Sequence, residues 1–185
     1  MIFFQGIRKK AGYFILRRKV RELSRNKEFI NLAGVSAVGV IFNQTDEKNF
    51  EYVQEYVRTM AADGKQVFGI GYVNSKEIPD FYLLRNGFNF FCRKDINWYG
   101  IPQPVFVNDF IEREFDLLID LSIDNIFPVE YIFSLSRAKF KTGHYAIRAQ
   151  HADLSIDIGS SRDVGYLTKQ INHYLGLLKK ETKQL

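Results

Sequence analysis

This 185-residue sequence predicts a mostly parallel α/β sheet with helices on both faces, preceded by a basic N-terminal helix. Three observations carry that expectation. Short apolar runs rich in β-branched residues, such as 35–42 and 115–122, have the composition of strands covered on both faces. Between such runs, apolar residues recur at the three- and four-residue steps of amphipathic helices. Positive charge is also unevenly placed. Residues 1–30 hold nine Lys/Arg against two Glu and the remainder holds seventeen against nineteen, so the net +5 is a +7 segment joined to a body at −2.

Residues 3–27 lack proline and read as helical, with Phe3, Phe4, Ile7, Ala11, Phe14 and Ile15 on one face. Beyond Ile15 the stripe changes side. Leu16, Val20 and Leu23 project oppositely, with basic residues between them, which predicts either one bent helix or two short ones. Residues 24–27 are the expected hinge, giving a helical extension over 1–30 and a sheet domain over 31–185.

The first strand, 35–42, leads into a helix capped by Thr45, with Asp46 and Glu47 in its first turn and Phe50, Val53, Val57 and Met60 as its buried stripe. Asp63 and Gly64 end it. Residues 66–73 then complete a right-handed β-α-β unit. A loop over 74–80, one helical turn over 81–86, a third strand over 88–92 and a rigid aromatic loop over 98–104 follow. Asn108 is the expected cap of a short helix through Glu114, before the strand 115–122. Pro128 suits the first turn of a helix reaching about Arg137. A fifth strand over 138–146, broken near Gly143, and a sixth over 154–158 precede the last helix. That helix begins near Asp163, turns Val164, Leu167, Ile171, Tyr174 and Leu178 to the sheet, and ends among Lys179, Lys180 and Lys183.

At 46% hydrophobic and 15% aromatic residues, the chain fills one core rather than two. Cys92 is the only cysteine, which excludes an intramolecular disulfide or a cysteine-only metal cage and fits a reducing, cytoplasmic setting. The opening residues lack the charge order and cleavage site of a secretory signal, and no apolar run reaches the roughly 18 to 20 residues that span a bilayer. The expected address is therefore cytoplasmic, or peripheral at the inner face of a membrane.

No motif fixes a reaction. Gly69-Ile70-Gly71 is half of a dinucleotide fingerprint but lies within a strand, and no Walker loop, nucleophile elbow or zincin motif occurs. His144, His151 and His173 are isolated, so no metal site and no cofactor are expected. His144 and His151 flank Arg148 near Lys139 and Lys141, as a patch that meets an anion or as a solvated sheet edge. Cys92, beside Arg93 and Lys94, is either a thiol of lowered pKa or a buried small hydrophobe.

Two strands end alike, at Asp120 and at Asp157, with Asp124 nearby. At the carboxyl rim of an α/β sheet these carboxylates could hold a metal ion or act as a general base; alternatively, each terminates its strand by accepting loop amides. Gly159, Ser160 and Ser161, before the last helix, offer a place for a phosphate or sugar hydroxyl, or a capping box from Ser160 to Asp163.

The segment Phe115-Asp116-Leu117-Leu118-Ile119-Asp120-Leu121-Ser122, then a helix, then Ser136-Arg137-Ala138-Lys139-Phe140-Lys141-Thr142-Gly143, resembles the acceptor-side Rossmann half of lipopolysaccharide heptosyltransferases. That resemblance implies a Rossmann-like fold and transfers no catalytic residue. The basic helix followed by this strand order is also similar to a family of small uncharacterised bacterial proteins, which implies a shared fold alone.

Two function classes follow. The first is a non-catalytic binding or adaptor protein whose Arg8, Lys9, Lys10, Arg17, Arg18, Lys19 and Arg21 dock on an anionic surface, whether phospholipid, RNA or ribosome, or an acidic patch of another protein. The second is a small enzyme or ligand-binding domain for a phosphorylated or sugar-type metabolite, built from Asp120, Asp124, Asp157, Gly159, Ser160 and Ser161.

Overall fold

In chain order the secondary structure runs α1 (Ile2–Glu22), β1 (Ala37–Gln44), α2 (Glu47–Ala62), β2 (Gln66–Val73), α3 (Asp80–Leu83), β3 (Phe88–Cys92) and α4 (Val105–Glu112). It continues β4 (Leu117–Asp120), α5 (Phe127–Leu135), β5 (Phe140–His144), α6 (Tyr145–Arg148), β6 (Leu154–Ile156) and α7 (Val164–Leu177). This computed structural model describes residues 2–30, 32–44, 46–83 and 85–178, with side chains for all of these but 2–5 and 83. Thr45, the rings of Phe3 and Phe4, and Lys179, Lys180 and Lys183 lie outside what is described. The cap of α2 is Asp46 and not the expected Thr45, since the Asp46 carboxylate accepts the Asn49 amide at 2.8 Å.

Six parallel strands form one sheet in the order β3-β2-β1-β4-β5-β6. That is the doubly wound, Rossmann-like order, and it reverses direction between β1 and β4. Parallel neighbours need crossovers, so helices must cover both faces. Alternation along β1 supplies both layers at once. Val38, Val40 and Phe42 enter the core under α2 and α7, while Ile41 enters the core under α1, α4 and α5.

In the first layer, Phe50, Val53, Val57 and Met60 of α2 meet Val164, Leu167, Ile171 and Leu175 of α7. The second is built on Leu16, Val107, Phe110, Ile111, Val129, Ile132 and Phe133. Phe42 contacts Phe50, Phe88 and Phe90 with ring centroids 5.7 to 5.8 Å apart. Gly71 makes room for that cluster, because a Cβ there would lie 2.6 Å from the Phe42 ring. The glycines of β2 therefore serve packing. Gly71→Val should destabilise the fold by about 1–3 kcal/mol. Urea unfolding checks this, and a variant as stable as the parent would contradict it.

Several boundaries differ from the expected ones. α1 is a single helix that stops at Glu22, and its buried side is the one carrying Leu16, leaving Ile7 and Phe14 in solvent. α4 starts at Val105 behind Pro104, whose φ of −59° presets the first turn, so Asn108 is an interior residue and not the cap. β5 runs unbroken through Gly143, which pairs with both Asp120 and Ser155. In α7 the buried position is Leu175, and Tyr174 is exposed.

Candidate functional site

Two regions gather the polar groups: the surface of α1 and the carboxyl rim of the sheet. α1 docks on α5 and the loop after β3. Leu16 is buried, and Gly12 permits the approach, since a Cβ there would sit 2.4 Å from the Tyr99 carbonyl oxygen. The Tyr13 hydroxyl donates to Glu130 at 2.6 Å; burial first, then that carboxylate, pushes the phenol up to about 12. Lys19 donates to the Tyr131 hydroxyl at 2.8 Å. Arg8 donates through Nε to the Trp98 carbonyl at 2.6 Å, with its guanidinium 5.4 Å from the indole centroid. Beyond the helix, Arg25 grips Asp153 through two bonds of 2.6 Å, tying the connecting segment to the start of β6.

The other face of α1 is unoccupied by the fold. Ile7, Lys10, Phe14, Arg17 and Arg21 follow one another at steps of three and four residues, which places them in one outward stripe. Phe14 is 71% exposed and Ile7 50%. Arg18 pairs with Glu22 at 3.1 Å, and Lys9 stands 6.0 Å from the Tyr13 ring centroid. Among the described residues, Lys10, Arg17 and Arg21 form no ion pair. A groove of about 510 Å³ lies along this helix, lined by Lys9, Lys10, Tyr13, Phe14 and Arg17 around Gly6.

At the rim, the expected carboxylates separate. Asp120 is fully buried, bonded to Arg148 Nε and to the Ser122 amide at 2.8 Å. Arg148, also buried, donates to the Ile147 carbonyl at 3.0 Å and to Asn125 at 3.3 Å; its Nη2 is buried without a partner among the described residues. Asp157 lies beyond β6 and accepts the Gly159 amide at 2.8 Å. Asp124 is held by Arg162 at 2.8 Å. No common site forms between Asp120 and Asp157, and each terminates its strand on a loop amide. α7 is capped by Asp163 itself, through the Tyr166 amide at 3.2 Å, so Ser160 starts no capping box; Ser161 Oγ accepts the Asp163 amide at 3.3 Å.

The basic stretch of β5 and α6 is interior and not a solvated edge, because β6 covers β5. Lys141 is buried and donates to the Phe133 and Ser134 carbonyls at 2.8 and 3.1 Å, and burial lowers its pKa to about 7. His144 Nδ1 lies 3.2 Å from the Ile156 carbonyl, and burial lowers the His151 pKa. Cys92 is buried, and desolvation chiefly raises its thiol pKa, the opposite of the shift that activates a thiolate. Among the described residues no three His, Cys, Asp or Glu groups converge as a metal site, and no helix is long and apolar enough to cross a membrane.

Beside the point where the strand order reverses, at the carboxyl ends of β1 and β2 and against the loop after β4, a cleft of about 530 Å³ opens. Asn43 and Gln44 from β1, Asp46 just before α2 and Glu47 in it, Tyr72 and Val73 from β2, and Asp124 with Arg162 border it. Its charge is acidic, since the one arginine is already held by Asp124.

Known proteins give one further finding. A model of a family of unknown function, DUF6913, matches residues 8–178, from the first turns of α1 to the end of α7. The chain belongs to DUF6913. No curated protein and no solved structure matches it, so the likeness of residues 115–143 to heptosyltransferases has no counterpart there.

The span matched by DUF6913 takes in both the basic helix and the whole sheet. What sequence reasoning missed in this DUF6913 chain is not the residues but their distant partners. Arg148 meets Asp120 across 28 positions and Arg8 meets Trp98 across 90. The available signal was a lone charge inside an apolar run, as in Leu117-Leu118-Ile119-Asp120, which in an interior demands a counter-charge.

Proposed function

We propose that this protein attaches to anionic phospholipid surfaces through the outward stripe of α1. The observation that supports the reading is a large ring, Phe14, left 71% exposed in one stripe with Lys10, Arg17 and Arg21, which no carboxylate of the described residues pairs. A solvated basic face needs no such ring. An interfacial helix needs both, with the apolar group entering the headgroup boundary while the cations meet lipid phosphates.

The magnitudes fit reversible attachment. Burying Phe14 contributes about 2 kcal/mol, and each of Lys10, Arg17 and Arg21 about 1 kcal/mol near an anionic leaflet. A sum of about 5 kcal/mol lies between millimolar and micromolar affinity. The side of α1 that carries Leu16 stays on α5 meanwhile, so attachment requires no unfolding.

Sedimentation of the full chain with vesicles tests the reading. Phosphatidylglycerol-rich vesicles should carry the protein down, phosphatidylcholine vesicles should not, and added salt should release it. Phe14→Ala should weaken the partition about thirtyfold, and Arg17→Glu with Arg21→Glu should abolish it, both with unchanged circular dichroism. Indifference to lipid charge, or binding to RNA that Phe14→Ala leaves intact, would overturn the proposal.

A further inference from the structure

A second concavity lies on the opposite side of α1, where the first half of the helix crosses the loop after β3. It measures about 220 Å³ and is bordered by Arg8, Lys9, Tyr72, Trp98, Tyr99 and Phe127. Four aromatic residues and two cations line it, and among the described residues no carboxylate does. The neighbouring switch-point cleft has the opposite character, acidic and polar, and the two share Tyr72 as a wall.

Arg8 is set in place before any ligand arrives. Its Nε bond to the Trp98 carbonyl and its position over the indole hold the guanidinium plane, leaving the two terminal nitrogens as a fork. A fork of this kind is suited to a phosphate or carboxylate, and Lys9 beside it adds a second positive charge. Trp98 and Tyr99 meet edge to face, with centroids 5.2 Å apart, and both stay about half exposed. Exposed rings at a concave surface offer planar faces for stacking.

Size then decides the ligand. At about 220 Å³ the pocket is smaller than the roughly 300 Å³ at which sites for whole small molecules begin. It therefore takes one ring, and the rest of the ligand extends beyond it. Hydroxyl donors fit the cleft past Tyr72, which Asn43 borders with a buried Oδ1 that has no hydrogen-bond partner among the described residues, and Asp124 adds acceptors.

We infer that this pocket binds a nucleoside monophosphate. Its base stacks among Trp98, Tyr99 and Phe127, its phosphate meets Arg8 and Lys9 at the mouth, and its sugar leads over Tyr72 toward the cleft. The site uses none of the stripe residues Ile7, Lys10, Phe14, Arg17 and Arg21, so it stands or falls independently of membrane attachment.

Trp98 is the only tryptophan of the chain, so its fluorescence reports this pocket alone. Titrating the full-length protein with AMP should give a saturable change in emission. Adenosine and inorganic phosphate should each bind at least about tenfold more weakly, since each supplies only part of the contact. Arg8→Gln should weaken AMP about tenfold while leaving the adenosine response unchanged, which separates loss of the phosphate contact from loss of the fold. Emission unaltered by millimolar AMP would overturn the inference, as would an AMP response that survives both Arg8→Gln and Lys9→Gln. A change in Trp98 emission with phosphatidylglycerol vesicles and none with AMP would also overturn it, assigning the pocket to the lipid-facing surface.

Discussion

Arg148→Met should destabilise the protein by about 3–5 kcal/mol, among the largest effects available to a single substitution in this chain. Asp120 and Arg148 are both fully buried and bonded to one another, so removing the guanidinium leaves a carboxylate in the interior with only the Ser122 amide to meet it. The converse change, Asp120→Leu, should cost a similar amount, because it strands a buried arginine whose Nη2 already lacks a partner among the described residues. Together, the two substitutions should recover most of the loss, since a buried ion pair replaced by apolar groups of similar volume is often neutral or stabilising. Urea unfolding of the four proteins forms a double-mutant cycle. Single variants within about 1 kcal/mol of the parent, or a double variant no better than either, would show that this pair does not hold the ends of β4 and α6 together.

That same pair explains what the sequence does and does not disclose. Strands buried on both faces are legible from composition: the run 35–42 corresponds to β1, and 66–73 coincides with β2, because β-branched and aromatic residues without charge have nowhere else to go. Helix starts are legible when the cap is local, as at Asp163. At α4 a cap-forming residue, Asn108, competes as a signal with Pro104, and the fixed φ of the proline prevails. The charge concentration of α1 is plain in the sequence, but which face docks is not. Apolar residues occupy both sides, Ile7 and Phe14 on one and Leu16 and Val20 on the other. The choice is made by fit against Tyr99 and Phe127 at Gly12, residues about a hundred positions away. Asp120 reads as a rim carboxylate for the same reason, since the arginine that neutralises it sits on α6, a turn too short to leave a periodic signal.

A pH dependence centred on Lys141 should be the second large effect. Its amine lies under α5 on two helix carbonyls, and desolvation by burial, helped by the like charges of Arg25 and Lys27 and opposed by Asp153, lowers the pKa from 10.5 to about 7. A lysine with a depressed folded pKa binds fewer protons folded than unfolded between those two values. Stability must therefore rise with pH from about 7 toward 10, by up to a few kcal/mol, and the penalty for burying the charge is fully present below pH 7. His151, also depressed by burial, titrates below its ordinary 6.5, and the raised Cys92 thiol acts only above 9. The interval from about 7 to 8.5 thus isolates Lys141. Urea midpoints of the parent should climb across it, while those of Lys141→Met should stay level. At the alkaline end the variant should be the less stable protein, because the Phe133 and Ser134 carbonyls lose their donor. A parent curve as flat as the variant's would mean that Lys141 keeps its ordinary pKa and reaches water.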